Sequence, residues 1–177
     1  TGTFGIIAID GSSSFPTIFG QECSVPLPIC NDTVPVGDPG FQAFGNYCDF
    51  TGNGNNCLEA GERGSAWYEI PVNASGNLEF SIVPNDWLGA PSNTSTDYDW
   101  ALWKISGTGA VTCAGIYADS VPVRCNYSYL GVTGVYGATD FTAPAAYPGF
   151  GPAFMSRLPV VAGDRYLLIV SNFSNSL

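Results

Sequence analysis

The sequence predicts an all-β protein, an antiparallel two-sheet β-sandwich with long disulfide-pinned loops. Its apolar residues fall in short runs in which apolar and polar side chains alternate, the period of a strand with one buried face. Turns rich in glycine and proline separate these runs, and no stretch shows a convincing helical period or helix caps. Many short strands joined by such turns are typical of a β-sandwich.

The first predicted strand lies in residues 1–10, an apolar run with no obvious hairpin partner. Residues 66–72 and 77–83 are predicted to form a hairpin, because a short turn separates them. In the second of these strands apolar residues alternate with polar ones: Leu78, Phe80 and Ile82 against Glu79 and Ser81. Further strands are predicted at residues 97–105, 110–117, 122–129, 155–161 and 165–171.

Large aromatic side chains mark the centre of the predicted sandwich, since they dominate the burial energy of a core. Three of the four tryptophans lie in or beside the central strands: Trp67, Trp100 and Trp103. Because side chains alternate along a strand, Trp100 and Trp103 are predicted to leave opposite faces. Residues 166–170 read YLLIV, the most apolar run, and this strand is predicted to lie centrally in its sheet.

Two stretches are predicted to be irregular. Residues 15–39 contain five prolines, which are unfavourable in helix interiors and central strands, so an extended segment lying on the sandwich is expected. Residues 131–152 are rich in glycine, alanine and tyrosine. We therefore expect one globular unit with two parts: residues 1–47, an N-terminal strand and proline-rich segment, and residues 48–177, the β-sandwich domain.

The composition excludes several classes of function. Charged residues make up 11% of the 177 residues, against about 25% in average soluble proteins. The net charge is −10 with five basic residues, so the basic surface that nucleic acid binding requires is missing. No apolar run approaches the roughly 20 residues of a membrane-spanning helix, and we expect no membrane insertion. So few charges indicate a protein that is packed into an assembly or glycosylated.

Six cysteines fall as three close pairs, and three local disulfides are predicted: Cys23–Cys30, Cys48–Cys57 and Cys113–Cys125. Each pair brackets a loop that a bridge would pin, although six cysteines allow 15 connectivities. Disulfides indicate an extracellular location; the alternative is six reduced, buried thiols. The chain has no histidine, so zinc is not expected, and a Ser-His-Asp or Cys-His catalytic arrangement is not available. We expect no enzymatic activity.

Calcium is the candidate cofactor. Asp97 and Asp99 lie two residues apart, so both carboxylates leave the strand on one face, about 7 Å apart along it. Glu62, in the loop before the first core strand, is within reach of them, and oxygen clusters of this kind suit Ca²⁺. The alternative is a pair of solvated carboxylates, or carboxylates paired with Arg63 or Arg124.

One ordered set of motifs resembles a known family: CLEAGERGSAWYEI, SGNLEFSIVPND, DYDWALWKI, PVRCNYS, GVTG and LPVVAGDRYLLIVSNFSNS. It is similar to a β-sandwich module of large secreted surface proteins from gliding, type IX-secreting bacteria. These modules resemble pre-peptidase C-terminal, or jelly-roll-like, domains. The resemblance covers residues 48–177 and implies an adhesion, scaffold or accessory role. Thr33 and Ser120 each lie between an aspartate and a valine, similar to the signal for O-linked glycans in that bacterial group.

Members of the family usually continue past the NFSNS turn with a final strand, which the present sequence lacks. With no signal peptide or initiating methionine visible, the chain is expected to be a processed form or one unit cut from a tandem array. The missing strand is expected either from a following segment or neighbouring chain, by strand addition, or from residues 1–10 of the same domain.

These features together predict an extracellular structural or adhesive module, a repeat unit or subunit of a cell-surface filament or giant adhesin. Its expected partners are neighbouring copies of the chain or adjacent repeats, and surface glycans. One alternative is a carbohydrate-binding module, which requires an exposed aromatic platform built from Trp67, Trp87, Trp100 or Trp103. The other is an accessory domain of a secreted hydrolase.

Overall fold

The computed structural model describes residues 20–30, 58, 64–84, 86, 96–128, 132–137 and 153–174. Within them the chain forms ten strands and one short helix, which confirms the all-β class. The strands are β1 (Leu27–Pro28), β2 (Ser65–Pro71), β3 (Gly76–Leu78), β4 (Phe80–Ile82), β5 (Tyr98–Lys104), β6 (Arg124–Asn126), β7 (Thr133–Val135), β8 (Phe154–Met155), β9 (Leu158–Val160) and β10 (Arg165–Asn172), and the helix α1 spans Cys113–Tyr117.

A five-stranded central sheet has the strand order β1-β2-β10-β5-β6. β10 lies between β2 and β5 and pairs antiparallel with both, so that Ile169 stands opposite Trp67 on one side and Ala101 on the other. The prediction that the YLLIV strand lies centrally is therefore confirmed. A continuous apolar run suits this position because a central strand buried on both faces exposes neither set of its side chains.

Both faces of the central sheet are buried. Alternation along β5 places Ala101 and Trp103 on the first face and Trp100 and Leu102 on the second, and each is at most 1% exposed. The first face is covered by side chains from outside the sheet: Cys23, Leu58 and Ile116. Trp100 and Trp103 thus leave opposite faces, as predicted from the period of the strand.

Two smaller sheets contribute to the core on the second face. One pairs β3 with β9, and the other has the order β4-β7-β8. The hairpin predicted for residues 66–72 and 77–83 is therefore wrong, because β2 pairs with β1 and β10 in the central sheet and not with β3 or β4. Val135, Met155 and Val160 from these sheets are buried in one cluster with Trp100 and Leu102 of the central sheet. Three side chains of the β3–β4 run are partly buried against that cluster: Leu78, Phe80 and Ile82. The predicted alternation of residues 77–83 is confirmed, because Glu79 and Ser81 between them are exposed.

β7 lies inside residues 131–152, which were predicted to be irregular, so that prediction is wrong for Thr133–Val135. The strand is short and has glycine at its centre, a weak strand pattern. Gly134 has a φ of 149°, and a Cβ at this position would overlap the carbonyl oxygen of Phe80 on β4. The close approach of the two backbones therefore requires glycine here.

The helix α1 replaces a predicted strand at residues 110–117. Thr112 caps it, since its Oγ1 accepts a hydrogen bond from the Gly115 N–H at 3.1 Å, the usual role of an N-cap threonine. Its Ile116 is buried against the first face of the central sheet. Five residues are too few for a helical period to show in the sequence. Within the described ranges, no helix is long and apolar enough to cross a bilayer.

Part of the N-terminal segment belongs to the central sheet. β1 pairs in parallel with β2, with Leu27 opposite Tyr68. The backbone N–H of Trp67 donates a hydrogen bond to the carbonyl of Gly20 at 2.6 Å. Residues 20–30 therefore line the outer edge of β2, where proline is tolerated because an edge strand has one side free of ladder hydrogen bonds.

The disulfide prediction is wrong for the pairs that the structure describes. Cys23 is bonded to Cys113, 90 residues away, and not to Cys30. Cys125 is in a different disulfide, so it is not the partner of Cys113 either. Cys30 carries an exposed free thiol. The reason is tertiary: Cys23 and α1 pack on the same face of the central sheet, whereas spacing reports only proximity in sequence. Cys48 and Cys57 lie outside the described residues.

An alkylating reagent applied to the native, unreduced protein is expected to modify Cys30 and to spare Cys23, Cys113 and Cys125. The Cys30 thiol is exposed and free, and an accessible thiolate is the reactive species. Peptide mass spectrometry after labelling gives the result, with a reduced and denatured sample as the control in which every cysteine reacts. Labelling of native Cys23 or Cys113, or a native Cys30 that resists the reagent, contradicts this assignment.

Candidate functional site

Two of the predicted calcium ligands lie at one end of the central sheet. Asp99 is 8% exposed and stands opposite Ser171 of β10, which in turn stands opposite Ser65 of β2. Asp97 directly precedes β5, and its carbonyl accepts a hydrogen bond from the Phe173 N–H at 2.8 Å. Alternation along the strand puts both carboxylates on the first face of the sheet, beyond the apolar cluster that covers it.

The buried serines of this row were missed by the sequence analysis. Ser65 and Ser171 are 2% and 3% exposed, although serine at the end of a strand is usually solvated. The Ser65 hydroxyl has no hydrogen-bond partner among the described residues. Only the register of three strands that are distant in sequence brings these hydroxyls into one row with Asp99, and no local pattern signals it.

Burial raises the pKa of the Asp97 carboxyl above its ordinary value of 3.8. Its Oδ1 is inaccessible to solvent and accepts no hydrogen bond among the described residues. Desolvation without a partner disfavours the charged form, and a bound cation would offset that penalty.

The third predicted ligand, Glu62, and the alternative ion-pair partner Arg63 lie outside the described residues. Arg124, the other alternative, is engaged elsewhere, because its Nε donates to the carbonyl of Ser156 at 3.0 Å. In the part of the chain that is described, no three His, Cys, Asp or Glu side chains are grouped closely enough to hold a metal ion. The calcium site of Glu62, Asp97 and Asp99 therefore stays a prediction.

Asp97→Asn is expected to raise the free energy of unfolding at pH 7 when calcium is chelated. The folded-state pKa of Asp97 is raised, so the folded protein binds this proton more tightly than the unfolded chain. The stability from this group is full below the unfolded value of 3.8 and is lost as the pH rises through the higher folded-state pKa. The asparagine variant does not lose this stability as the pH rises. Its free energy of unfolding should therefore exceed that of wild type at pH 7, and the difference should disappear in acid.

Urea unfolding of both proteins from acid to neutral pH measures the effect, with the exposed Glu79→Gln as the matched carboxylate control. Equal stability of wild type and Asp97→Asn at pH 7 in chelator contradicts the prediction. Repeating the titration with added calcium tests the metal site, because calcium bound at Asp97 should stabilise wild type and leave the variant unchanged.

The described glycosylation candidate, Ser120, follows the helix α1. Its carbonyl accepts a hydrogen bond from the indole N–H of Trp103 at 2.8 Å, and its backbone N–H donates to Gly115. The residue is partly buried, whereas Val121 beside it is 67% exposed. Residues 120 and 121 thus lie at the surface, while hydrogen bonds to Trp103 and Gly115 fix the Ser120 backbone. Thr33 lies outside the described residues.

The tryptophans do not form an exposed platform where they are described. Trp67, Trp100 and Trp103 are at most 1% exposed, and Trp87 lies outside the described residues. A different aromatic residue is open to solvent: Tyr136 is 65% exposed and packs edge to face with Phe154, with ring centroids 6.1 Å apart. Among the described residues, the most exposed aromatic side chain is therefore Tyr136, directly after β7.

The run formed by β3 and β4 has strand neighbours on one side only, within the described part of the chain. β3 pairs with β9 and β4 with β7. β7 and β9 lie on the same side of this run, one after the other. Gly137 connects them: its N–H donates to the Glu79 side chain, and its carbonyl accepts a hydrogen bond from the Arg157 N–H just before β9. The side of the residue 76–82 backbone that faces away from β7 and β9 is called the β3–β4 edge.

No family model, curated protein or solved structure matches this chain. The resemblance to surface modules of gliding bacteria accordingly stays a prediction.

Proposed function

We propose that the chain is an extracellular structural or adhesive module, a repeat unit or subunit of a cell-surface filament or adhesin, that joins its neighbours by strand complementation. The observation that carries this proposal is the β3–β4 edge, which has no strand neighbour among the described residues. An extended edge presents unpaired N–H and C=O groups, a template for a strand from another chain.

The architecture supports this role. In our proposal the central sheet and the two smaller sheets form the two layers of a jelly-roll-like sandwich, with one shared core. The disulfide Cys23–Cys113 favours an oxidising, extracellular location. A disulfide-linked, tryptophan-filled core suits a unit that bears load between neighbours.

The charges also favour assembly over catalysis or nucleic acid binding. Two of the five basic side chains are used in ion pairs within the fold: Lys104 with Asp164 at 2.9 Å and Arg165 with Glu69 at 2.7 Å. The sequence has no histidine for a nucleophilic triad. We therefore propose a protein that is not an enzyme and whose partners are copies of itself or adjacent repeats.

A carbohydrate-binding role is the second candidate, and Tyr136 is the observation that favours it. The exposed ring, backed by Phe154, could stack on a sugar. Binding to surface polysaccharides that is abolished by Tyr136→Ala and kept by Tyr117→Ala, a second exposed tyrosine, would support this function. Equal polysaccharide binding by the two variants would contradict a carbohydrate-binding role for Tyr136.

Sedimentation velocity over a wide concentration range tests the proposed assembly. The mass is expected to rise above the 18.6 kDa of one chain as concentration increases. Each copy carries a net charge of −10, so added salt should strengthen association by screening the repulsion. A protein that stays monomeric at every concentration and salt level contradicts the proposal.

A further inference from the structure

We propose that residues 1–10 of a second copy of this chain are the strand that pairs with the β3–β4 edge. This inference rests on the proposed function, because it names the donor and the acceptor of the assembly. The two segments lie at different places in the sequence, so each copy can both give and receive a strand. Such a heterologous contact repeats from copy to copy and gives an open filament wherever the rotation between copies does not close a ring.

The backbone of the acceptor can receive a strand. Ser81 stands opposite Gly134 of β7, but the Gly134 N–H donates to Ala153 on the other side of β7. In an antiparallel ladder the two residues of a pair either exchange both hydrogen bonds or none. The N–H and C=O of Ser81 therefore point away from β7, toward the β3–β4 edge.

The side chains along the edge are incompletely covered. Leu78, Phe80 and Ile82 point to the core but are only partly buried, whereas Val135 on the neighbouring strand is 0% exposed. Phe80 packs edge to face with Trp100 at 5.1 Å, so its remaining exposure lies at the border of the main core. A strand added at the edge would extend the same core over these three residues.

Residues 1–10 have the length and pattern that this edge requires. The seven residues 76–82 span roughly 23 Å and ten extended residues roughly 33 Å, at about 3.3 Å per residue. Neither segment contains proline, so both can supply a full set of backbone donors. Phe4, Ile6 and Ala8 fall on one face of an extended strand and would cover the partly exposed apolar side chains.

Charge favours this donor over a second β3–β4 edge. Residues 1–9 carry no charged side chain, so they bring no like charge to Glu79. Two β3–β4 edges paired antiparallel would instead bring their Glu79 carboxylates close together, which is unfavourable for like charges on facing strands. Asp10 is the one charged side chain of residues 1–10 and lies at their end, so residues 1–9 can pair along the edge without this repulsion.

Ser81→Pro in the full chain is the sharpest test, with Ser81→Ala as the matched control. Proline removes an N–H that faces the edge and blocks the incoming strand, whereas alanine keeps the backbone intact. Association measured by sedimentation is expected to weaken about tenfold or more for Ser81→Pro, the effect of losing roughly one hydrogen bond with its contacts, and to stay unchanged for Ser81→Ala. Circular dichroism and urea unfolding check that both variants fold.

A second experiment changes the proposed donor strand, residues 1–10. A chain lacking residues 1–10 should be monomeric and should bind a labelled peptide of residues 1–10, and Ile6→Pro in the peptide should abolish that binding. If the full chain assembles but both Ser81→Pro and the deletion assemble equally well, this inference is wrong and the proposed function survives. A full chain that is always monomeric, while the shortened chain binds the peptide, means pairing within one copy and overturns both.

Discussion

Replacing both Cys23 and Cys113 by alanine is expected to lower the free energy of unfolding by about 4–5 kcal/mol. The disulfide closes a loop of 90 residues, and a cross-link of that span removes much of the entropy of the unfolded chain. It also joins residue 23, which is 2% exposed, to the helix α1 on the first face of the central sheet. Guanidinium unfolding followed by tryptophan fluorescence measures the change.

The single variant Cys30→Ala is the control for this experiment. Its thiol is free and exposed, so the stability should change by no more than about 0.5 kcal/mol, as for most surface substitutions. If the double variant is as stable as Cys30→Ala, the cross-link contributes nothing and the expectation fails. If Cys30→Ala is the destabilised protein, Cys30 is a disulfide partner and the assignment is incorrect.

Trp100→Ala is expected to cost about 3–5 kcal/mol, the usual range for removing a large buried aromatic side chain. Trp100 is 0% exposed and belongs to the cluster shared by the central and smaller sheets. Its indole N–H donates a hydrogen bond to Thr133 Oγ1 at 2.9 Å, and its ring contacts Phe80. The substitution therefore removes contacts with two neighbouring strands, β7 and β4, at once.

Trp100→Phe separates the parts of this effect. Phenylalanine keeps most of the apolar contact and loses the hydrogen bond, while the Thr133 hydroxyl still donates to the carbonyl of Ala153 at 2.7 Å. The loss should therefore be clearly smaller than for alanine. Val121→Ala, at a site 67% exposed, is the surface control. Equal losses for alanine and phenylalanine at position 100 would show that the hydrogen bond, and not the packing, dominates.

The strand pattern could be predicted because it is local. Alternation of apolar and polar residues in residues 77–83 reflects the geometry of an extended backbone, and so does the opposite placement of Trp100 and Trp103. The apolar run Tyr166 to Val170 identified the central strand because burial on both faces leaves no place for polar side chains. The helix α1 and the strand β7 escaped prediction because each is too short to show a period.

Local chemistry along the chain was thus sufficient for the all-β class and the aromatic core. Pairing between distant residues required the folded chain: the bond between Cys23 and Cys113, the row of Ser65, Ser171 and Asp99, and the pairing of the β3–β4 run on one side only among the described residues. Strand register and face-to-face packing set these contacts, and both depend on interactions between segments tens of residues apart, which spacing in a sequence does not encode.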